Sequence, residues 1–264
     1  MAEVTAKDVA TLRSQTGAGI LDCRRALVEN DGDLDKAQRW LREQGLSGAS
    51  KRSGRERGEG AVSVVVNADN GAVVALECET DFVAKSAEFV RLVDDIADSY
   101  ATEGDAGLSS HETEIDSLKI TLKENIALGA HHRFVAEEGA VLESYLHVQN
   151  GRGVNGVLVE LVGGSAELAH DIAVHIAFAR PEFLSRDEVP EAAVATERET
   201  IAAISRNEGK PEAQLDKIIE GRLTGWYKER VLLEQPFARD EKVTISQLLG
   251  DASVRRFAQV VVGA

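Results

Sequence analysis

The chain has 264 residues, 43% of them hydrophobic, which is enough for about two domains with a substantial core. Its formal net charge of −15 argues against non-specific binding to nucleic acid, because the field of the whole chain would repel the phosphate backbone. No apolar run reaches the ~20 residues of a membrane-spanning helix, the N-terminus lacks the pattern of a secretory signal, and two cysteines are too few for a disulfide framework or a structural zinc site, so we expect a cytoplasmic protein.

Residues 1–46 predict a small three-helix unit. Thr5 caps the first helix, which ends at Gly17, and Asp33 caps the third, which stops at Gly45. The second helix places one apolar stripe on a single face, formed by Ile20, Cys23 and Leu27. A core this small favours a module that docks on another protein over a domain that functions by itself.

Residues 47–60 combine glycines with basic side chains in the sequence SGASKRSGRERGEG. Such a segment is either a flexible, solvated linker or a patch that binds nucleic acid. Because no aromatic residue lies between the charges, we favour the linker.

The remaining chain predicts an α+β core with antiparallel sheets. We expect two subdomains, residues 61–139 and 140–264. The predicted elements are strands at 61–66 and 72–79 around a turn at 69–71, helices at about 83–101 and 112–128, strands at 131–137, 141–148 and 154–162, a helix from Ser165 to about Ala179, a short helix capped by Thr244, and a strand at 254–262.

Two stretches of this core look like copies of one unit, a hairpin that leads into a helix. Residues 74–78 parallel 157–161, and residues 86–89 parallel 165–168. Seven residues (ETDFVAK) separate the two blocks in the first copy, but only three (VGG) separate them in the second. The first copy therefore carries extra residues that the unit does not need, around Thr80, Asp81, Phe82 and Val83.

Residues 190–228 predict a hairpin of two antiparallel helices with a short turn at residues 207–211. Apolar residues line both helices, so the hairpin either packs on the body or projects as an arm for oligomerisation or partner contact. Periodicity leaves these two interpretations open.

The sequence contains none of the common nucleotide-binding, metalloprotease or hydrolase motifs. His175 lies on an apolar helix stripe, which favours a hydrogen-bonded packing residue over a ligand or a base. Cys78 alternates inward with Leu76 and Val74, which is typical of a core thiol. We therefore expect a protein that is not an enzyme, has no cofactor and binds no metal.

Three segments, in this order, resemble the translation elongation factor Ts family. They are residues 12–33 with TGAGILDC at 16–23, residues 79–84 (ETDFVA), and the later blocks HIA at 175–177, PEFL at 181–184, KIIEGRL at 217–223 and QPF at 235–237. The resemblance implies a ubiquitin-associated-type N-terminal domain, then a two-part core of related subdomains with a helical hairpin inserted in the second.

The resemblance also implies a function and a set of site residues. Family members bind the GTPase elongation factor Tu and promote release of its GDP, without direct binding of nucleotide, nucleic acid or membrane by the factor. The positions implicated in dislodging the partner's Mg²⁺ match Thr80, Asp81, Phe82 and Val83. Positions that contact the partner match Arg13, Ile20 and Leu21 in the N-terminal domain and His147 in the second core subdomain. The hairpin is the candidate surface for a homodimer or a higher complex.

Two departures from the family and two rival functions accompany this resemblance. Ile20 and Leu21 stand where some members carry methionine, and longer members continue into a further C-terminal helix that touches the partner. The rivals are an adaptor that binds other protein chains through the three-helix unit, and a hydrolase that uses His175 or His147. Neither rival explains the ordered motifs.

For Phe82, burial is the general expectation for a phenylalanine, since Phe89 follows seven positions later on a predicted helix. The shorter connection in the second copy and the family resemblance favour an exposed residue that acts on the partner. The exposure of Phe82 in the structure separates these interpretations.

Overall fold

The computed structural model describes residues 4–263, except for the side chains of residues 46–50. Its helices are α1 (Ala6–Thr16), α2 (Ile20–Glu29), α3 (Leu34–Arg52), α4 (Asp81–Ala84), α5 (Ala87–Glu103), α6 (Asp105–Ser110), α7 (Glu112–Leu122), α8 (Ala166–Ala179), α9 (Glu191–Asn207), α10 (Leu215–Arg230) and α11 (Ile245–Leu249). Its strands are β1 (Glu59–Asn67), β2 (Asn70–Cys78), β3 (Ala127–Val135), β4 (Ala140–Gln149), β5 (Arg152–Val162), β6 (Pro236–Phe237), β7 (Asp240–Thr244) and β8 (Ser253–Val261). The predicted α+β fold class is confirmed.

Two three-stranded antiparallel sheets form the core, with strand orders β1-β2-β3 and β4-β5-β8. In each sheet a hairpin leads towards a covering helix, and a later strand pairs with the second strand of the hairpin. Helix α5 packs on β1 and β2, and α8 packs on β4 and β5. The two halves therefore share one plan, as the sequence blocks indicated.

The inner faces of the two sheets pack against each other, which gives four layers in the order helix, sheet, sheet, helix. Val73 and Ala75 of β2 join Leu158 of β5 in the cluster between the sheets. The alternate residues of β2, Val74 and Leu76, point to the cluster beneath α5. Because both faces of β2 are buried, its sequence is a continuous apolar run.

The N-terminal unit of α1, α2 and α3 has its own small cluster, which includes Leu12, Cys23 and Leu27. The capping box of Thr5 with Asp8 is present, and Gly17 ends α1 at φ +66°. Of the apolar stripe predicted on α2, Cys23 and Leu27 are buried, whereas Ile20 is 57% exposed. It occupies the first position of α2.

Helix α3 continues to Arg52, so its predicted end at Gly45 was wrong. The glycine lets α3 lie close to α7, because a Cβ on Gly45 would stand 2.5 Å from Ile120 Cγ2. At the end of α3, Arg52 Nη2 donates to the carbonyl of Lys119 at 3.0 Å. Helix therefore occupies the start of the segment 47–60 that was predicted to be a linker, and its end contacts the core.

Several boundaries in the first half of the core differ from the predicted ones. The β1–β2 turn lies at Ala68–Asp69, because Asn67 pairs with Asn70 in the ladder and Ala68 takes φ +51°. The helix predicted at 83–101 is divided, since Ser86 caps α5 separately from α4. Helix α7 ends at Leu122 because Lys123 adopts φ +59°, and β3 begins at Ala127.

Helices α9 and α10 form the predicted hairpin and share an apolar cluster distinct from those of the sheets. Its members include Ile201, Leu215, Ile219, Leu223 and Tyr227. Ile204, one of the apolar residues that the sequence places along α9, is 45% exposed. The cluster also includes Val189 and Val231, which flank the two helices, so it lies within the hairpin and its base and is separate from the clusters of the sheets. This favours the projecting arm over a helix pair that completes the main core.

Candidate functional site

The four residues Thr80–Val83, here called the wedge segment, are the N-cap and the first three residues of the short helix α4, which follows β2. Thr80 is the N-cap, with extended backbone, and its Oγ1 accepts a hydrogen bond from the Val83 amide at 3.4 Å. Val83 and the following Ala84 are buried in the cluster beneath α5. One end of the segment is therefore anchored in the core.

Phe82 is 84% exposed, whereas Phe89 is fully buried. The interpretation of Phe82 as a core residue was therefore wrong. The two residues are out of phase because the Ser86 cap begins a new helix between them. In the second copy only residues 163–165 separate β5 from α8. The longer connection in the first copy forms the additional helix α4.

Asp81 carries a negative charge beside the exposed phenyl ring. Its Oδ2 accepts a hydrogen bond from Lys85 Nζ at 2.5 Å, and this bond holds the pKa of Asp81 below its ordinary value. The more distant charge of Arg152 acts in the same direction. At neutral pH the wedge segment thus presents an apolar ring next to a carboxylate.

Glu124, which follows α7, binds residues 79 and 80 at the start of the wedge segment, here called the wedge base. Glu124 Oε2 accepts from the amides of Glu79 and Thr80 at 3.0 and 3.1 Å, and Oε1 accepts from the Thr80 hydroxyl at 2.5 Å. Sequence reasoning missed this residue. It lies 44 positions after Thr80 in a helical pattern, and no local signal pairs the two residues.

The N-terminal unit presents a groove of about 770 Å³ between α1 and the start of α2. Arg13 and Ile20, both proposed as contacts, line it together with Val4 and Val9. Leu21 is 79% exposed next to the groove but does not line it. The structure thus brings two of the three residues together around one apolar concavity.

His147 is exposed near the end of β4, with its Nδ1 3.4 Å from Tyr145 Oη. It lines a cavity of about 830 Å³ together with Arg152 and Phe178, a phenylalanine that is 79% exposed. Arg152 Nη2 donates to Glu59 Oε2 at 2.6 Å, and the same guanidinium acts on the pKa of Asp81. Arg152 thus lies in the His147 cavity and is paired with the carboxylate of Glu59.

His175 is a packing residue, as the sequence predicted. It is 1% exposed, its Nε2 lies 3.0 Å from Gln235 Oε1, and its Nδ1 accepts from the Ala238 amide at 3.2 Å. Burial lowers its pKa, so the ring is neutral. Within residues 4–263, His, Cys, Asp and Glu side chains form no group that could hold a metal ion, and no helix in this range is long and apolar enough to cross a membrane.

The amino-acid sequence was compared with those of known protein families and of individual proteins. The family model for Elongation factor TS matches residues 79–264. Proteins named Elongation factor Ts are similar along the whole chain: that of Mycobacterium ulcerans is 44% identical over 100% of this chain and 99% of its own. The Acidothermus cellulolyticus protein is 43% identical over 100% of this chain and 99% of its own. The Paenarthrobacter aurescens protein is 41% identical over 98% of this chain and 97% of its own.

Proposed function

The chain belongs to the elongation factor Ts family, and from this membership we propose that it is a guanine nucleotide exchange factor of translation. In this role it binds elongation factor Tu carrying GDP, in the cytoplasm, and promotes release of the nucleotide. It carries out no covalent chemistry and needs no cofactor, because its action is binding alone.

The mechanism acts on the partner's nucleotide site. In a GTPase, backbone donors, a lysine and Mg²⁺ hold the phosphates, and the metal offsets their charge. Displacing side chains that support the metal leaves phosphate repulsion uncompensated, and each ~1.4 kcal/mol of lost binding free energy weakens nucleotide binding about tenfold. The coupling is reciprocal, so bound GDP weakens the factor's own binding by the same factor.

The observation that carries this proposal is the exposure of Phe82, 84%, on a segment whose two ends are fixed. The ring contributes little to the stability of its own protein, so its place at the surface is explained by contact with another molecule. Asp81 supplies a charge that can reposition polar groups of the partner.

The remaining surfaces provide affinity. We assign docking on the partner to the groove with Arg13 and Ile20 and to the adjacent Leu21, and a second contact to His147. The division into a docking unit (1–46), a connecting segment (47–60) and two core subdomains (61–139 and 140–264) belongs to the same proposal. An adaptor function would use the docking unit but would leave Phe82 without a role.

The test is release of a fluorescent GDP analogue from elongation factor Tu, with and without the chain, at millimolar Mg²⁺ and again with excess chelator. We expect strong acceleration in Mg²⁺ and a much smaller fold-acceleration in chelator, because the metal is then already gone. No acceleration in either condition would overturn the exchange function. Equal fold-acceleration in both would overturn the Mg²⁺ mechanism.

A further inference from the structure

The β2 strand loses its neighbours just before the wedge segment. Its last pair with β3 is Glu77 with Ala127, and its last pair with β1 is Cys78 with Glu59. The amides of Glu79, which is half-buried, and of Thr80, which is exposed, lie beyond both ladders. The carboxylate of Glu124 accepts from both of them.

The same carboxylate orients the cap of α4. The Thr80 hydroxyl donates to Glu124 Oε1, which leaves an oxygen lone pair to accept from the Val83 amide. Three donors of the wedge base thus converge on one side chain. Bonds to an ionised acceptor are shorter and about twice as strong as bonds between neutral groups.

Glu124 itself stands on a fixed backbone. It follows Lys123, which ends α7 at φ +59°, and precedes Asn125, which is 6% exposed. The Asn125 amide donates to Glu79 Oε1 at 2.7 Å, and its Nδ2 donates to the carbonyls of Ser53 and Arg55 at 3.2 and 2.7 Å. The end of α7 therefore connects the wedge base to the chain that follows α3.

We propose that Glu124 is a positioning residue for nucleotide release, which holds the wedge segment in the direction that Phe82 needs in order to enter the partner. This inference rests on the proposed exchange function. With Phe82 outside the core, the direction of its side chain depends on the backbone at residues 79–81 and on the anchor at Val83. Without the carboxylate, the three donors bind water instead and the backbone of the wedge base gains conformational entropy. That entropy must be lost again when the complex forms.

The test compares Glu124→Ala and Glu124→Gln in the release of a fluorescent GDP analogue, with Glu112→Ala as control for loss of an exposed carboxylate on the same helical segment. We expect Glu124→Ala to lower the rate at saturating factor roughly fivefold, about the effect of one lost hydrogen bond, and to leave the half-saturating concentration within about twofold because the docking surfaces are intact. Glu124→Gln keeps an oxygen for the two amides and should retain at least about half of the wild-type rate. Glu112→Ala should match the wild type.

A double-mutant cycle with Phe82→Ala separates positioning from other roles. If Glu124 acts only through the wedge, Glu124→Ala will slow release no further in the Phe82→Ala background. A multiplied loss in the double variant would overturn the proposal, as would an unchanged rate in Glu124→Ala. If Glu124→Ala fails to fold, the same comparison is made with Glu124→Gln, alone and combined with Phe82→Ala, and a multiplied loss in that double variant would likewise overturn the proposal.

Amide hydrogen exchange of the protein alone supplies a readout independent of the partner. In Glu124→Ala we expect faster exchange at residues 79, 80 and 83, with the amides of α5 unchanged. Unchanged exchange at these three amides would overturn the positioning role. If the wild-type chain failed to release GDP, the exchange function would fall, while this measurement would still decide whether Glu124 holds the segment.

Discussion

Replacing Phe82 with alanine separates a residue that acts on a partner from one that stabilises its own fold. Phe82 is 84% exposed, so roughly a sixth of the ring is covered by the protein. Full burial of a phenylalanine contributes about 1.5–3 kcal/mol, so the covered part is worth about 0.5 kcal/mol or less. For a chain of this size, that corresponds to a fall in Tm of about 1–2 °C.

Phe89→Ala is the matched control, since Phe89 is fully buried beneath the same sheet. A buried phenylalanine changed to alanine costs about 3–5 kcal/mol, which lowers Tm on the order of 10 °C. The two variants remove the same atoms seven positions apart. They should therefore differ clearly in thermal denaturation followed by circular dichroism.

Nucleotide release should rank the two variants in the opposite order. Phe82→Ala should slow release of a fluorescent GDP analogue about tenfold or more, which is about 1.4 kcal/mol of lost coupling, with only modestly weaker binding to elongation factor Tu. Asp81→Ala should be a milder version. The folded fraction of Phe89→Ala should release GDP normally. A large fall in Tm for Phe82→Ala with normal release would refute the reasoning.

Three further outcomes are expected. Deleting residues 1–50 removes a separate apolar cluster, so the remainder should fold but bind elongation factor Tu more weakly in calorimetry; unchanged affinity would assign the unit another partner. Shortening α9 and α10 symmetrically should keep a folded core and most of the exchange activity while altering self-association in sedimentation, and global unfolding would contradict this. Burial lowers the pKa of His175, so the unfolded chain binds the proton more readily; the free energy of unfolding should fall as pH drops from about 7 through the lowered folded pKa, and His175→Asn should flatten that dependence in urea titrations.

Elements defined by local chemistry could be predicted from the sequence. The capping boxes at Thr5 and Thr244 and the cap at Ser165 each depend on residues three positions apart, and all three are present. The connection between the strands predicted at 141–148 and 154–162 is a tight turn at Asn150 and Gly151, two residue types that readily adopt positive φ. The shared plan of the two halves was also visible, because two sequence blocks recur in the same order, although seven residues separate them in the first half and three in the second.

Features that depend on distant contacts could not be predicted. Gly45 is a stop signal by local rules, but close packing on Ile120 keeps it inside α3. Phe82 was ambiguous, because apolar spacing does not show where one helix ends and the next begins. Glu124 gave no signal, since its partners at Glu79 and Thr80 meet it only in the folded chain.

The end of α7 connects the two surfaces that the proposed mechanism uses. Lys123 Nζ lies 2.8 Å from Asp22 Oδ2 on α2, and the next residue, Glu124, holds the wedge base. In the proposed mechanism, entry of Phe82 becomes an intramolecular step once the partner has bound at the groove. The rate of this proposed step then depends on an effective concentration set by the connection between the groove and the wedge segment, on the order of millimolar, and no longer on the concentration of the factor in solution. Under those conditions the wedge segment needs little affinity of its own, and it leaves the partner readily once the groove has dissociated.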